Sequence, residues 1–463
     1  MDELRFPDGF LWGAATSAQQ IEGGYGLDGR SESIWDRFAA TAGRIADGSD
    51  ARVACDHYHR WREDIGLMKW LGLNAYRFSV AWPRVVPGGR GAVNPAGLDF
   101  YDALVDGLLA AGIRPFVTLY HWDLPQVLQE RGGWAARETV DAFVEYADAV
   151  TARLGDRVRD WTTHNEPWCV ATLGHEHGVH APGHRDPAEA LRVGHHLLLS
   201  HGRAVEVVRR NAPGAEVGIV LMLSPAEPAT DSRVDLDAAR RYDGALNRWY
   251  LDPVLRGRYP EDAVADRVRR GHLASPELPF VRDGDLAAIA APLDFLGVNY
   301  YSRTVVRGDA EGEPVGVRMV PESELTDMGW EVHPAGLHAL LLRLEREYRP
   351  RKLLVTENGA AYTDPAGADG RVADARRVAY LHGHLAAAAR AIADGVPLAG
   401  YFTWSLLDNF EWGHGYAMRF GLFDVDFASQ RRRARDSAHW YRRVVAANAV
   451  DEPTEQPLSR RTP

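Results

Sequence analysis

The chain has 463 residues, of which 46% are apolar and 25% charged, with a formal net charge of −11; this is the balance of a globular protein with a large core, not of a disordered or membrane-embedded one. The acidic excess argues against nucleic acid or an anionic membrane as partner, and a small neutral substrate fits better. Two cysteines, Cys55 and Cys169, are too few for a disulfide framework, and no apolar run reaches the length of a membrane span, so the expectation is a soluble cytoplasmic protein.

Short β-branched or aromatic runs recur along the chain, each followed by a stretch with helical spacing. In order they are Phe10–Thr16, Asn74–Ser79, Pro115–Tyr120, Val158–His164, Val217–Leu223, Phe295–Tyr300, Leu353–Thr356 and Gly400–Trp404. After the second run, Asn94-Pro95 reads as an N-cap followed by proline at the first helical position, and Leu98, Tyr101, Val105 and Leu108 form an apolar stripe that Gly112 ends. After the third, Val140, Phe143, Val144, Ala147, Val150 and Leu154 repeat the pattern, with Gly155 expected in a left-handed cap.

Eight strand-helix units predict an α/β fold, a single (β/α)8 TIM barrel with extended loops at its C-terminal face. The rival, a doubly wound sheet, lacks a G-x-G-x-x-G after the first strand. A minimal barrel takes roughly 250 residues, so about 200 are left for loops that deepen a pocket. The longest are expected at 23–56 and at 303–330, the latter as a hairpin. The catalytic domain is read as residues 1–450, and 451–463 as a loose tail.

Barrel enzymes carry their reactive groups just past the C-terminal strand ends. Strand four leads into Asn165-Glu166-Pro167 and strand seven into Thr356-Glu357-Asn358-Gly359. Proline and glycine end each strand, which aims both carboxylates into the barrel mouth. Two carboxylates in one pocket suit glycoside hydrolysis: one protonates the leaving oxygen while the other attacks the anomeric carbon. The fourteen tryptophans offer flat apolar faces of the kind that sugar rings stack on.

Four segments in order resemble glycoside hydrolase family 1, the β-glucosidase family, over nearly the full length. They are Phe6 to Gly23, Thr163-His-Asn-Glu-Pro167, Val355-Thr-Glu-Asn-Gly359 and Trp404 to Trp412. The resemblance implies a retaining double displacement with no cofactor and no metal, Glu166 as general acid/base and Glu357 as nucleophile, supported by Arg77 and Tyr301. It further implies that Gln20, His121, Asn165, Trp404, Glu411 and Trp412 hold the sugar, with Asn299 near this cluster in either a support or a contact role. Trp122, Trp168, His180 and Trp330 would line the aglycone side. The implied activity is release of terminal β-D-glucosyl residues, with β-galactosides and β-fucosides accepted and cellulose degradation as context. Glu411, as a carboxylate, would repel a 6-phosphate and favour an unphosphorylated sugar. The sequence departs from the usual pattern at His164 and Gln19.

Two rivals stay on the page: a sugar-binding protein without turnover, and an enzyme that transfers glycosyl groups to acceptors other than water. The histidines at 175, 177, 180, 184, 195 and 196 suggest a metal site, but no H-E-x-x-H is present and the retaining mechanism that the resemblance implies requires no metal. His57 and His59 read as anchors of the barrel. Sugar preference and oligomeric state are not encoded in any motif.

Overall fold

The computed structural model describes residues 3–309, 313–316 and 323–451. Eight parallel strands form a closed barrel: β1 Leu11–Ala15, β2 Ala75–Ser79, β3 Arg114–Tyr120, β4 Asp160–Asn165, β5 Glu216–Met222, β6 Phe295–Asn299, β7 Leu353–Asn358 and β8 Leu398–Trp404. Each lies within two residues of the predicted run at both ends. Sequential strands pair, and β8 returns to β1 with Gly400 opposite Leu11.

Helices cover the outside of the barrel: α1 His57–Leu71, α2 Pro95–Ala110, α3 Glu138–Leu154, α4 Pro187–Asn211, α5 Trp249–Arg256, α6 Pro334–Tyr348, α7 Ala375–Ala393 and α8 Asp436–Ala447. The apolar stripe of α3 is buried from Val140 through Phe143, Ala147 and Val150 to Leu154, while Glu138 and Arg153 set opposite charges at its two ends as the helix dipole favours. Helix α4 is the best capped: Asp186 accepts from the amides of Ala188 and Glu189 at 2.9 and 3.0 Å, and Pro187 occupies the first position, where no amide is needed.

Asn94 stands at the N-cap of α2 with Pro95 after it, as expected, although its side chain donates to the carbonyls of Asp28 and Arg84 and does not cap the helix. One local expectation is corrected. Gly155 has φ −70°, not a left-handed value; it is glycine because a Cβ there would lie 2.5 Å from the Thr151 carbonyl oxygen and 2.6 Å from that of Asn211.

The barrel interior is filled, not hollow. Phe116 meets Phe295 and Phe402 at ring separations of 5.2 and 5.3 Å, with Leu354 in the same cluster. Such bulk needs small residues opposite: a Cβ on Gly13 would sit 2.2 Å from the Phe402 ring. Burying each phenyl ring contributes about 1.5–3 kcal/mol, and the packed plug confines any ligand to the mouth above it.

The loop at 303–330 contains the expected hairpin, with Thr304–Gly308 antiparallel to Pro314–Gly316. Residues 452–463, most of the expected tail, lie outside the described residues, whereas Asp451 ends a strand paired with Glu3–Arg5. His57 is a buried anchor, bonded to Asp64, which also pairs with Arg432; His59 is exposed and bonds only Asp56, so the anchoring role does not extend to it. Among the described residues no helix is long and apolar enough to cross a membrane.

Candidate active site

A cavity of about 580 Å³ opens at the C-terminal end of the barrel, lined by Glu166, Glu357, His121, Asn165, Tyr301, Trp404, Glu411 and Trp412 among others. Strand pairing slips at the rim, between Thr162 and Asn165 on β4, and between Val355 and Glu357 on β7. These irregularities re-aim the strand ends that carry the two glutamates. Glu166, Trp122 and Trp412 also have positive φ values of 49°, 76° and 46°. Such backbone is costly for residues with a side chain and persists where packing enforces it, commonly at functional sites.

The two glutamates have different partners. Glu357 accepts from Arg77 Nη1 at 2.5 Å on one oxygen and from the Tyr301 hydroxyl at 2.6 Å on the other. Arg77 is fully buried, and its other terminal nitrogen donates to Asn165 Oδ1 at 2.6 Å. Among the described residues no cation contacts Glu166. It accepts from Asn299 Nδ2 at 2.6 Å and from the Cys169 thiol at 3.0 Å. Burial first, and then the charge of Glu357, push the Glu166 carboxyl up to about 7, against the two hydrogen bonds and the more distant Arg77. One carboxyl is therefore held by a guanidinium, and the other retains its proton near neutral pH.

The surrounding amides form one network. With Asn165 Oδ1 accepting from Arg77, its Nδ2 must be the donor to His121 Nε2 at 3.0 Å. His121 then carries its proton on Nδ1, a buried atom with no hydrogen-bond partner among the described residues. Burial, and next Arg77, hold the His121 pKa well below its usual value, so the ring is neutral and offers one N–H. Asn299 donates to both Asn165 and Glu166 while accepting from Thr356.

Gln20 and Asn299 do not line the cavity. Gln20 is fully buried behind Glu411, its amide donating to Asn409 Oδ1, the Phe410 carbonyl and, at 3.4 Å, Glu411. Burial, followed by the charges of Glu357 and Glu166, raises Glu411 to about 8. The repulsion of phosphate by a Glu411 carboxylate, expected from sequence, thus weakens below that pH. What remains against a phosphate among the described residues is that the one Arg or Lys lining the cavity, Arg303, is already paired with Glu331 and Glu227.

Aromatic rings build the walls. Trp412 lies 4.5 Å from both Trp122 and Trp35, and His180 lies 5.5 Å from Trp122 and 5.2 Å from Trp35. Trp330 packs against Tyr301 at 5.1 Å, and Trp168 completes the rim. The two departures from the family pattern are both absorbed into buried bonds. His164 bonds Ser200, and Gln19 joins Asp36, Arg30 and Ser33.

Cys169 is the residue that the reading of the sequence missed. Its position three residues beyond Glu166 is the available signal in the sequence. Leu173, Met222, Met328 and Phe420 also line the cavity; as apolar side chains outside any motif, they carried no signal.

Known proteins resemble the chain along its whole length. The model of glycosyl hydrolase family 1 matches residues 2–450. Beta-glucosidase A of Acetivibrio thermocellus is 48% identical over 452 residues, covering 97% of this chain and all of that protein. A bifunctional beta-D-glucosidase/beta-D-fucosidase of Bifidobacterium breve is 46% identical, covering 96% of this chain and 99% of its own. The solved structure of the family 1 β-glucosidase from Thermotoga maritima superposes with a TM-score of 0.93 at 46% identity, covering 98% of this chain and all of that one. A match that runs from the first barrel strand to the last helix, across both glutamate motifs, is membership: the chain belongs to glycosyl hydrolase family 1.

Proposed function

We propose that the chain is a retaining β-glucosidase, with residues 1–450 as its catalytic domain, that releases terminal β-D-glucosyl residues and also accepts β-galactosides and β-fucosides. The observation that carries this reading is the unequal support of the two glutamates: Arg77 and Tyr301 on Glu357, and, among the described residues, no cation against Glu166. Glu357 attacks the anomeric carbon while Glu166 gives its proton to the leaving oxygen, so that the glycosidic C–O bond breaks as the ester bond forms. With Glu357 esterified, its charge is gone, and Glu166 is left as a carboxylate able to take a proton from water. The water oxygen attacks, Glu357 departs, and two inversions leave the β configuration. Protons and electrons balance among the two carboxyls, glycoside and water.

The non-reducing sugar sits on Trp404 between His121, Asn165, Glu411 and Trp412, with Gln20 and Asn299 orienting from behind. The aglycone lies among Trp122, Trp168, His180 and Trp330. Arg303, engaged by two glutamates, supports an unphosphorylated substrate. A cytoplasmic location and a role in the last step of cellulose breakdown fit two buried free thiols and a pocket sized for short glycosides.

The test is hydrolysis of aryl β-glucoside, β-galactoside, β-fucoside and 6-phospho-β-glucoside side by side, with the released anomer followed by NMR. β-Anomer from the unphosphorylated glucoside is expected. Turnover confined to the phosphorylated substrate, or an initial α-anomer, would overturn the reading.

A further inference from the structure

The segment that follows Glu166 folds as a wide helix over Cys169–Glu176, passes His180 in the cavity wall, and enters α4 at Pro187. It carries His175 and His184, and the fold brings an acidic side chain to both from the first turn of α4. Glu189 Oε1 lies 2.6 Å from Nδ1 of His175 and 2.6 Å from Nδ1 of His184. The two rings face each other nearly edge-on, 5.2 Å apart at 85°, and the three donor atoms all lie within 4.8 Å of one another.

We propose that His175, His184 and Glu189 form a binding site for one divalent transition-metal ion of the zinc class, separate from the catalytic pair, which clips the cavity-wall segment to helix α4. Two imidazole nitrogens and one carboxylate oxygen are the donor set that borderline cations prefer, and three protein ligands leave one tetrahedral position for water. Ligand atoms about 2.0–2.2 Å from zinc stand roughly 3.3–3.6 Å from each other. The present spacing reaches that with small ring rotations: the two 2.6 Å contacts open while the widest separation closes. A neutral ring that binds through Nδ1 carries its one proton on Nε2.

The surroundings favour this arrangement. Backbone bonds fix both histidines beforehand, from the Asp186 amide to the His175 carbonyl at 2.7 Å and from the His184 amide to the Gly174 carbonyl at 2.9 Å. The Asp186 side chain holds the Glu189 amide at 3.0 Å. His175 is buried, whereas the His184 side chain is 44% exposed, which leaves the fourth position open to solvent.

Calorimetric titration of the chelator-stripped, tag-free chain with Zn²⁺, together with the visible spectrum after addition of Co²⁺, tests the site. One equivalent should bind, Co²⁺ should give the intense d–d bands of four-coordinate geometry, and Zn²⁺ should raise Tm. His184→Ala, which alters an exposed side chain, and Glu189→Gln should each weaken the affinity at least about tenfold and abolish the gain in Tm. Absence of saturable one-equivalent binding in the unaltered chain would overturn the proposal, as would an affinity unchanged in His184→Ala.

Discussion

Cys169 donates its thiol hydrogen to Glu166 Oε2 at 3.0 Å, so the glutamate that must hold a proton also receives a bond that favours losing it. Removing that donor disfavours the carboxylate. In Cys169→Ala the upper limb of the pH profile of kcat/KM should move to higher pH by roughly half a unit to one unit, the equivalent of about 1 kcal/mol for one hydrogen bond. Cys169→Ser should restore most of the shift. An identical profile in all three proteins would show that the contact does not tune Glu166.

The same limb has a definite direction. Glu166 must be protonated to act as acid, and its carboxyl is raised to about 7. For substrates with poor leaving groups, activity should therefore fall as pH rises through that value. In Glu166→Ala those substrates should lose about 10²–10⁴-fold, while activated aryl glycosides, whose leaving groups need no proton, should keep a fast first step. Equal losses on both classes would remove Glu166 from the acid role.

Glu357→Ala should lower kcat by roughly 10⁴-fold or more, as deletion of a nucleophile does. Azide added to this variant should restore part of the turnover and give the α-glycosyl azide, since a single displacement inverts the centre. NMR of the product distinguishes this from simple loss of fold.

Glu411 affects stability as well as binding. Its folded pKa of about 8 lies above the ordinary 4.5, so the native state holds the proton more tightly than the unfolded chain does. The stability linked to it is full below about 4.5 and is lost as pH rises toward 8. Glu411→Gln, neutral at every pH, should therefore raise Tm by a few degrees at pH 8.5 relative to the unaltered protein and change it little at pH 5. A pH-independent difference in Tm would contradict the burial of charge at this position.

Inside the barrel, Gly13→Ala should destabilise by about 1–3 kcal/mol, because its Cβ would fall 2.2 Å from the Phe402 ring. Denaturant unfolding measures this. Adding Phe402→Leu should recover part of the loss if the clash is with that ring.

The elements of the barrel were legible in the sequence because each rests on a local pattern: buried strands as short β-branched runs, helices as apolar stripes bounded by proline and glycine, and the glutamates as charges set just before a strand-breaking residue. Local pattern misled at Gly155, where the glycine makes room for two carbonyls, one of them from a residue 56 positions along the chain. The sequence by itself determined the eight strand-helix units and the identity of Glu166 and Glu357. Only the tertiary structure decided what those carboxyls touch: Arg77 reaches Glu357 across 280 positions and Asn299 reaches Glu166 across 133. Burial and neighbouring charge set proton affinity, and both depend on which distant residues the closed barrel brings within a few ångströms, a quantity that no short window of sequence contains.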